Sequence, residues 1–216
     1  ATGLTGGGFV VTWMSQGQVG TGYDIYGQMY SSAGVAQGGE LLLFSGAGDQ
    51  FNPAVAPLNN GGFILTLSGP NGSRGLDIFS LTFGSNGVQQ GPVRLPSLVA
   101  TSDQDYSAAT RLKDGNLVIV WSSNGEDGSG AGVFGTVATA DTSGILADFG
   151  ANVTTSGDQT YPSVAALNDG GFLVTWSSFG QDGNDWGVYG RRYDATYNPV
   201  GDEFRINATT AGTQIA

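Results

Sequence analysis

Cysteine and histidine are both absent from this chain of 216 residues. That alone excludes a thiol nucleophile, a serine triad built on imidazole, a histidine-held haem and an ordinary structural zinc site. Lysine is reduced to Lys113, and 7 basic residues face 18 acidic ones for a net charge of −11. Such a surface repels a phosphate backbone, so nucleic acid and anionic membranes are poor partners, while cations and neutral polar ligands fit it. Long apolar runs are missing as well, and none approaches the roughly 20 residues of a membrane-spanning helix. No leader peptide is visible at Ala1, so the signal of an exported chain is expected outside this sequence.

Glycine, by contrast, is abundant: 38 residues, beside a hydrophobic share of 39% that rules out a disordered glycine-rich tract. The glycines punctuate a repeat. The stretch 168–194, NDGGFLVTWSSFGQDGNDWGVYGRRYD, reads as a turn, an apolar strand ending in Trp176, a Gly/Asp-rich loop and an alternating strand. The same phrase recurs from Gly6, Asn60 and Asp114. The first large apolar residue after each turn is Phe9, Phe63, Leu117 or Phe172, with spacings of 54, 54 and 55, and 53 across the two ends.

Each repeat holds four strand candidates. The first is small and apolar, at 53–58, 106–112 and 161–167. The second runs into the tryptophan position, at 9–13, 63–67, 117–121 and 172–176. The third alternates, at 24–30, 77–83, 132–138 and 187–193. The fourth is looser, at 40–44, 92–98, 149–154 and 203–208. Four antiparallel strands in about 50 residues describe a propeller blade. The fold class is therefore an all-β, four-bladed β-propeller, a single domain with blades at about 1–50, 51–104, 105–159 and 160–216. The first repeat lacks its first strand. Gln214, Ile215 and Ala216 followed by Ala1 to Leu4 spell the missing piece, so a strand shared between the termini is expected to close the ring and remove exposed edges.

Small side chains fit the first strands, because innermost strands crowd at the axis of a four-bladed ring; Ala54, Ala108 and Ala165 are examples. Trp13, Trp121 and Trp176 share one repeat position, replaced by Leu67 in the second blade, and are expected to pack between blades rather than to stack on sugars.

Two loop sets lie on one face of such a ring. The links between blades place Gln50, Gln104, Gln159 and Gln214 at equivalent positions, with Asp49, Asp103 and Asp158 beside three of them. These glutamines read as a polar ligand-binding ring around the axis, or as side chains that bond the amides of their own turns. The loops between second and third strands vary more, which suits binding. The fourth offers Asp182, Asn184, Asp185 and Trp186; the third offers Asn124, Glu126 and Asp127. Oxygen donors on glycine-rich turns are calcium chemistry, so Asp182, Asp185, Asp127 and Glu126 are the metal candidates and calcium the candidate cofactor, although neither EF-hand nor β-roll spacing is present. Trp186 lies outside the repeated tryptophan position. It either stacks on a sugar ring beside Asp182 and Asp185 or caps the edge of a blade. The same carboxylates would have to supply the pair that glycoside hydrolysis needs. Asn71, Asn152 and Asn207 head glycan-acceptor triplets, which matter only in a eukaryotic secretory host.

The phrase DGGFLVTWSSFGQDGNDWGVYGRRYDATYNPVGDEFRIN, preceded by GDQTYPSVAAL, resembles the roughly 50-residue Gly/Asp-rich repeats of very large secreted bacterial proteins. The likeness is closest over 156–210 and weakest in the second blade, where Leu67 and Arg74 depart from it. It implies an extracellular or cell-surface setting, a place in a larger chain or assembly, and a binding or scaffolding role without catalytic residues. In overall shape alone the chain is similar to hemopexin-type propellers. The expectation is thus a non-catalytic module recognising a glycan or a protein partner, with a structural scaffold and a glycoside hydrolase as the alternatives.

Overall fold

A computed structural model describes residues 1–96 and 102–216. Four antiparallel sheets of four strands follow one another along the chain. Blade one contains β1 (Thr2–Gly3), β2 (Phe9–Gln16), β3 (Tyr23–Tyr30) and β4 (Ala36–Phe44). Blade two contains β5 (Phe51–Pro57), β6 (Phe63–Pro70), β7 (Leu76–Phe83) and β8 (Gln89–Arg94). Blade three contains β9 (Gln104–Arg111), β10 (Leu117–Asn124), β11 (Ala131–Ala138) and β12 (Ile145–Gly150). Blade four contains β13 (Gln159–Ala166), β14 (Phe172–Phe179), β15 (Trp186–Tyr193) and β16 (Phe204–Arg205). First strands of successive blades run beside one another, β5 by β9 and β9 by β13, so they form the inner wall of the propeller.

Alternation along the second strands builds the packing between blades. Phe63, Leu65 and Leu67 of β6 pack on Val10, Ile25 and Met29 of blade one, whereas their neighbour Ile64 packs on Leu117 and Ile119 of blade three. Phe172, Val174 and Trp176 of β14 likewise bury themselves against Val118, Val120 and Val133. A central blade is therefore apolar on both faces, and its second strand reads as a continuous hydrophobic run. Stacked rings join second and third strands within a blade: Phe63 with Phe83 at 4.9 Å and Phe172 with Tyr193 at 4.6 Å between centroids.

The faces of blades one and four that point away from these three interfaces are less covered. Phe9, Val11 and Trp13 are only half-buried, and among the described residues no buried apolar cluster joins blade one to blade four. Thr2 and Gly3 supply the inner strand of blade one. At the other end, the Gln214 amide donates to the Trp186 carbonyl at 2.8 Å, as the Gln50 amide does to Tyr23 at 2.9 Å, so the last residues take the place of a link leaving blade four.

Boundaries differ from the sequence reading in every strand set: first strands start two residues early, at Phe51, Gln104 and Gln159, and third strands one residue early. Each second strand runs three residues past the tryptophan position, because Ser122, Ser123, Ser177 and Ser178 are buried, and Ser123 and Ser178 pair with the glutamines of the links. Fourth strands start earlier than expected in blades one to three, and β16 is cut to two residues. Of the stretch expected at 92–98, positions 97 and 98 lie outside the described residues.

Candidate functional site

At the loop end of the inner strands, three residues share one repeat position and one unusual backbone. Asn52, Tyr106 and Tyr161 have φ of 50°, 55° and 53°. Each follows its link glutamine by two residues and sits where the pairing with the second strand slips, between Phe51 and Ala54, opposite Val120 and Ser122, and between Thr160 and Ser163. Left-handed backbone at a tyrosine costs on the order of 1–3 kcal/mol, and a bulge re-aims the side chain it carries. Repetition of that strain in three blades at one end of the axis marks a built feature.

Asp105 lies at the centre of it. Its Oδ1 accepts hydrogen bonds from Asn52 Nδ2 at 2.8 Å, Ser68 Oγ at 2.6 Å and the Tyr106 amide at 2.7 Å. Three donors from two blades on one oxygen suit a carboxylate. Beside it the Tyr106 and Tyr161 rings approach to 4.5 Å at a 56° tilt. The hydrogen bond with Tyr161, and then burial, raise the Tyr106 pKa above the ordinary phenol value, so its hydroxyl stays protonated. Ser122 Oγ reaches Thr160 Oγ1 at 3.2 Å, and the Ala216 amide reaches Ser177 Oγ at 2.8 Å, which extends the polar rim through blades three and four.

The polar groups gathered at this end come from residues one and two positions after the link glutamines. Gln50 is buried, donates to the Gly48 carbonyl and accepts from the Gly46 amide. Gln159 is buried, donates to Ser156 and Gly157 and accepts from Asn152 Nδ2; Gln214 repeats the pattern with Ala211 and Asn207. Gln104 is fully buried in the equivalent place. Gln50, Gln159 and Gln214 thus bond the backbone of their own turns, the second of the two readings of these glutamines. The aspartates beside them are latches: Asp49, Asp103 and Asp158 accept the amides of Tyr23, Leu76 and Ala131, each at the start of a third strand.

Residues of the variable loops are likewise engaged. Asp127 accepts from the Ser129 amide and from Asn152 Nδ2 at 3.1 Å. Asp182 accepts from the Asn184 amide, Asn184 accepts from the Asp185 amide, and Asp185 accepts from Thr213 Oγ1, the fourth-blade version of the latch with its polarity reversed. Trp186 opens β15 instead of lying in a loop, and meets Phe179 edge-on at 5.4 Å. Among the described residues no three carboxylates converge as a metal cage. Glu126 differs from the rest: burial first, then the charges of Asp127 and Asp148, raises its pKa above the ordinary carboxylate value against a lowering contact with Ser123. Asn152 and Asn207 each accept a third-strand amide, Val133 and Val188, so their repeated triplet has a structural cause.

A cavity of about 420 Å³ opens between blades two and three at the other end of the propeller, lined by Asn59, Asn60, Gln90, Arg94 and Asp141 among others. Thr139 Oγ1, Ser143 Oγ and the Ser143 amide all donate to Asp141, and they hold its pKa down at about 2. A depressed carboxylate pKa favours the folded state above the unfolded value of roughly 3.9, and that contribution is lost as pH falls toward 2. Asp141→Ala is accordingly expected to flatten the acid limb of the stability curve between about pH 4 and pH 2, with Thr139 and Ser143 unchanged; chemical denaturation at stepped pH measures it.

No family model and no curated protein matches the chain. Solved structures do. A thermostable family-43 glycoside hydrolase is 13% identical with a TM-score of 0.59, covering 96% of this chain and 74% of its own. A protein of unknown function from Dyadobacter fermentans DSM 18053 is 12% identical with a TM-score of 0.68, over 94% of this chain and 66% of its own. An endo-arabinase from Bacteroides thetaiotaomicron VPI-5482 is 13% identical with a TM-score of 0.56, over 93% of this chain and 80% of its own. At such identities the likeness establishes the propeller fold. It also corrects the expectation of a non-catalytic adhesion module: propellers of this shape include glycoside hydrolases, so the reading of the chain as no enzyme is withdrawn.

Sequence reasoning missed Asn52, Asp105, Tyr106 and Tyr161. The available signal was a large residue two positions after three successive link glutamines, at the head of strands otherwise built from small residues.

Proposed function

We propose that the chain hydrolyses glycosidic bonds in an extracellular or cell-surface glycan, at the end of the axis where Asp105, Tyr106 and Tyr161 meet. The observation that carries this reading is the convergence of Asn52, Ser68 and the Tyr106 amide on the Asp105 carboxylate beside a strained tyrosine pair. Aromatic faces stack on sugar rings, and a fixed carboxylate stabilises the positive charge of an oxocarbenium-like transition state. A carboxyl group with a raised pKa is the complement that protonates the leaving oxygen, and Glu126 has that property on the loop side of the same blade. The solved propellers named as a glycoside hydrolase and an endo-arabinase support the substrate class.

The test is release of reducing ends from a panel that includes arabinan and xylan, comparing the parent with Asp105→Asn and Glu126→Gln. Asp105→Asn is expected to lower kcat/KM by roughly 10²- to 10⁴-fold, the usual loss for one catalytic group. Inactivity of the parent across the panel, or full activity of the Asp105 variant, removes the proposal.

A further inference from the structure

Blade one carries a second site that neither the glycan reading nor the variable loops of blades three and four account for. A cavity of about 360 Å³ lies between the loop 17–22 and the link 45–49, walled by Asp24, Asp49, Thr21, Ser45 and the glycine backbone at 20, 22, 46 and 48. Asp24 is only 3% exposed, and its Oδ2 is buried with no hydrogen-bond partner. A buried carboxylate oxygen left unpaired is costly enough that it implies a partner. Asp49 adds a second carboxylate on the other wall, fixed through Oδ1 by the Tyr23 amide at 2.9 Å.

Blades two and three show what such a carboxylate receives when it is paired; in blade four Asp182 Oδ2 is, like Asp24 Oδ2, buried without a partner. Asp77, the equivalent of Asp24 in blade two, takes Asn71 Nδ2 and has the Arg74 guanidinium at 3.9 Å. Asp127 in blade three takes Asn152 Nδ2. Blade one offers neither: its loop GQVGTG and its link SGAGD hold no asparagine and no basic residue, and the ion pairs among the described residues are Arg74 with Asp77 and Arg192 with Asp169.

We propose that Asp24 and Asp49 bind one calcium ion in this cavity, with the Thr21 and Ser45 hydroxyls and glycine carbonyls completing an all-oxygen set. The side chains lining this cavity offer oxygen donors only, and glycine-rich walls accommodate the large, irregular coordination of calcium better than the strict octahedron of magnesium.

Calorimetric titration of the whole chain with Ca²⁺ or Mg²⁺ alone tests this, alongside Asp24→Asn, Asp49→Asn and the remote control Asp141→Asn. One equivalent of Ca²⁺ is expected, bound at least tenfold more weakly by each of the first two variants and equally by the control. In metal-free buffer Asp24→Asn is expected to melt no lower than the parent, because an unpaired buried charge has gone; with Ca²⁺ only the parent and the control gain stability. Absence of Ca²⁺ binding at millimolar concentration, binding undiminished in both site variants, or Mg²⁺ binding as tight as Ca²⁺ overturns the proposal.

Discussion

Trp176→Ala is expected to lower the unfolding free energy by about 3–5 kcal/mol, the range for truncating a large aromatic side chain in a core that cannot collapse around the cavity. Trp176 is completely buried and joins β14 to Val118, Val120 and Val133 of the preceding blade, so its loss opens the interface between blades three and four. Trp13 holds the same repeat position on the less covered face of blade one and is only half-buried. Trp13→Ala is therefore expected to cost about a third as much or less, since the transfer term scales with the area removed from water. Urea denaturation of both variants measures the difference. Equal losses would mean that the face of blade one is as tightly covered as the three interfaces with apolar clusters.

A larger coupling is expected within blade four. Every blade places one carboxylate at the start of its third strand, but from two sources. Asp24 and Asp77 carry it on the strand itself; in blades three and four that strand position is Gly132 or Gly187, and the loop residues Asp127 and Asp182 reach into the same space. A Cβ added at Gly187 would stand 2.9 Å from Asp182 Oδ2 and 3.2 Å from the Tyr189 ring, and one at Gly132 would stand 2.6 Å from Asp127 Oδ2. Gly187→Asp alone forces two carboxylates into one space and is expected to cost about 3 kcal/mol or more. Adding Asp182→Gly recreates the arrangement of blades one and two, and the pair together should recover most of that loss. A double-mutant cycle in urea reads the coupling directly; simple additivity would show that the two positions do not share the space.

Much of the fold was legible because it depends on periodicity. Phe9, Phe63, Leu117 and Phe172 repeat at a near-constant interval, and alternation around them specifies strands whatever their neighbours do. The packing role of Trp121 and Trp176 followed from the same reasoning, and both are buried. The candidate site was far less legible. Gln50 and Gln159 look like a ligand ring in the sequence, yet a buried primary amide saturates itself on nearby turn carbonyls before any ligand arrives. Trp186 reads as a loop residue beside two aspartates, but pairing with Phe179 extends the strand to include it.

By itself, then, the sequence determined the class of the fold, the number of blades and the residues that cement one blade to the next, since these follow from a hydrophobic pattern repeated four times. Only the tertiary structure decided where chemistry gathers. Asp105 meets Asn52 and Ser68 from another blade, and Tyr106 meets Tyr161, because left-handed bulges turn Asn52, Tyr106 and Tyr161 out of their ladders. Local preference disfavours that backbone for Tyr106 and Tyr161, so nothing in their own repeats announces it; the strain is tolerated only where neighbouring blades hold it in place.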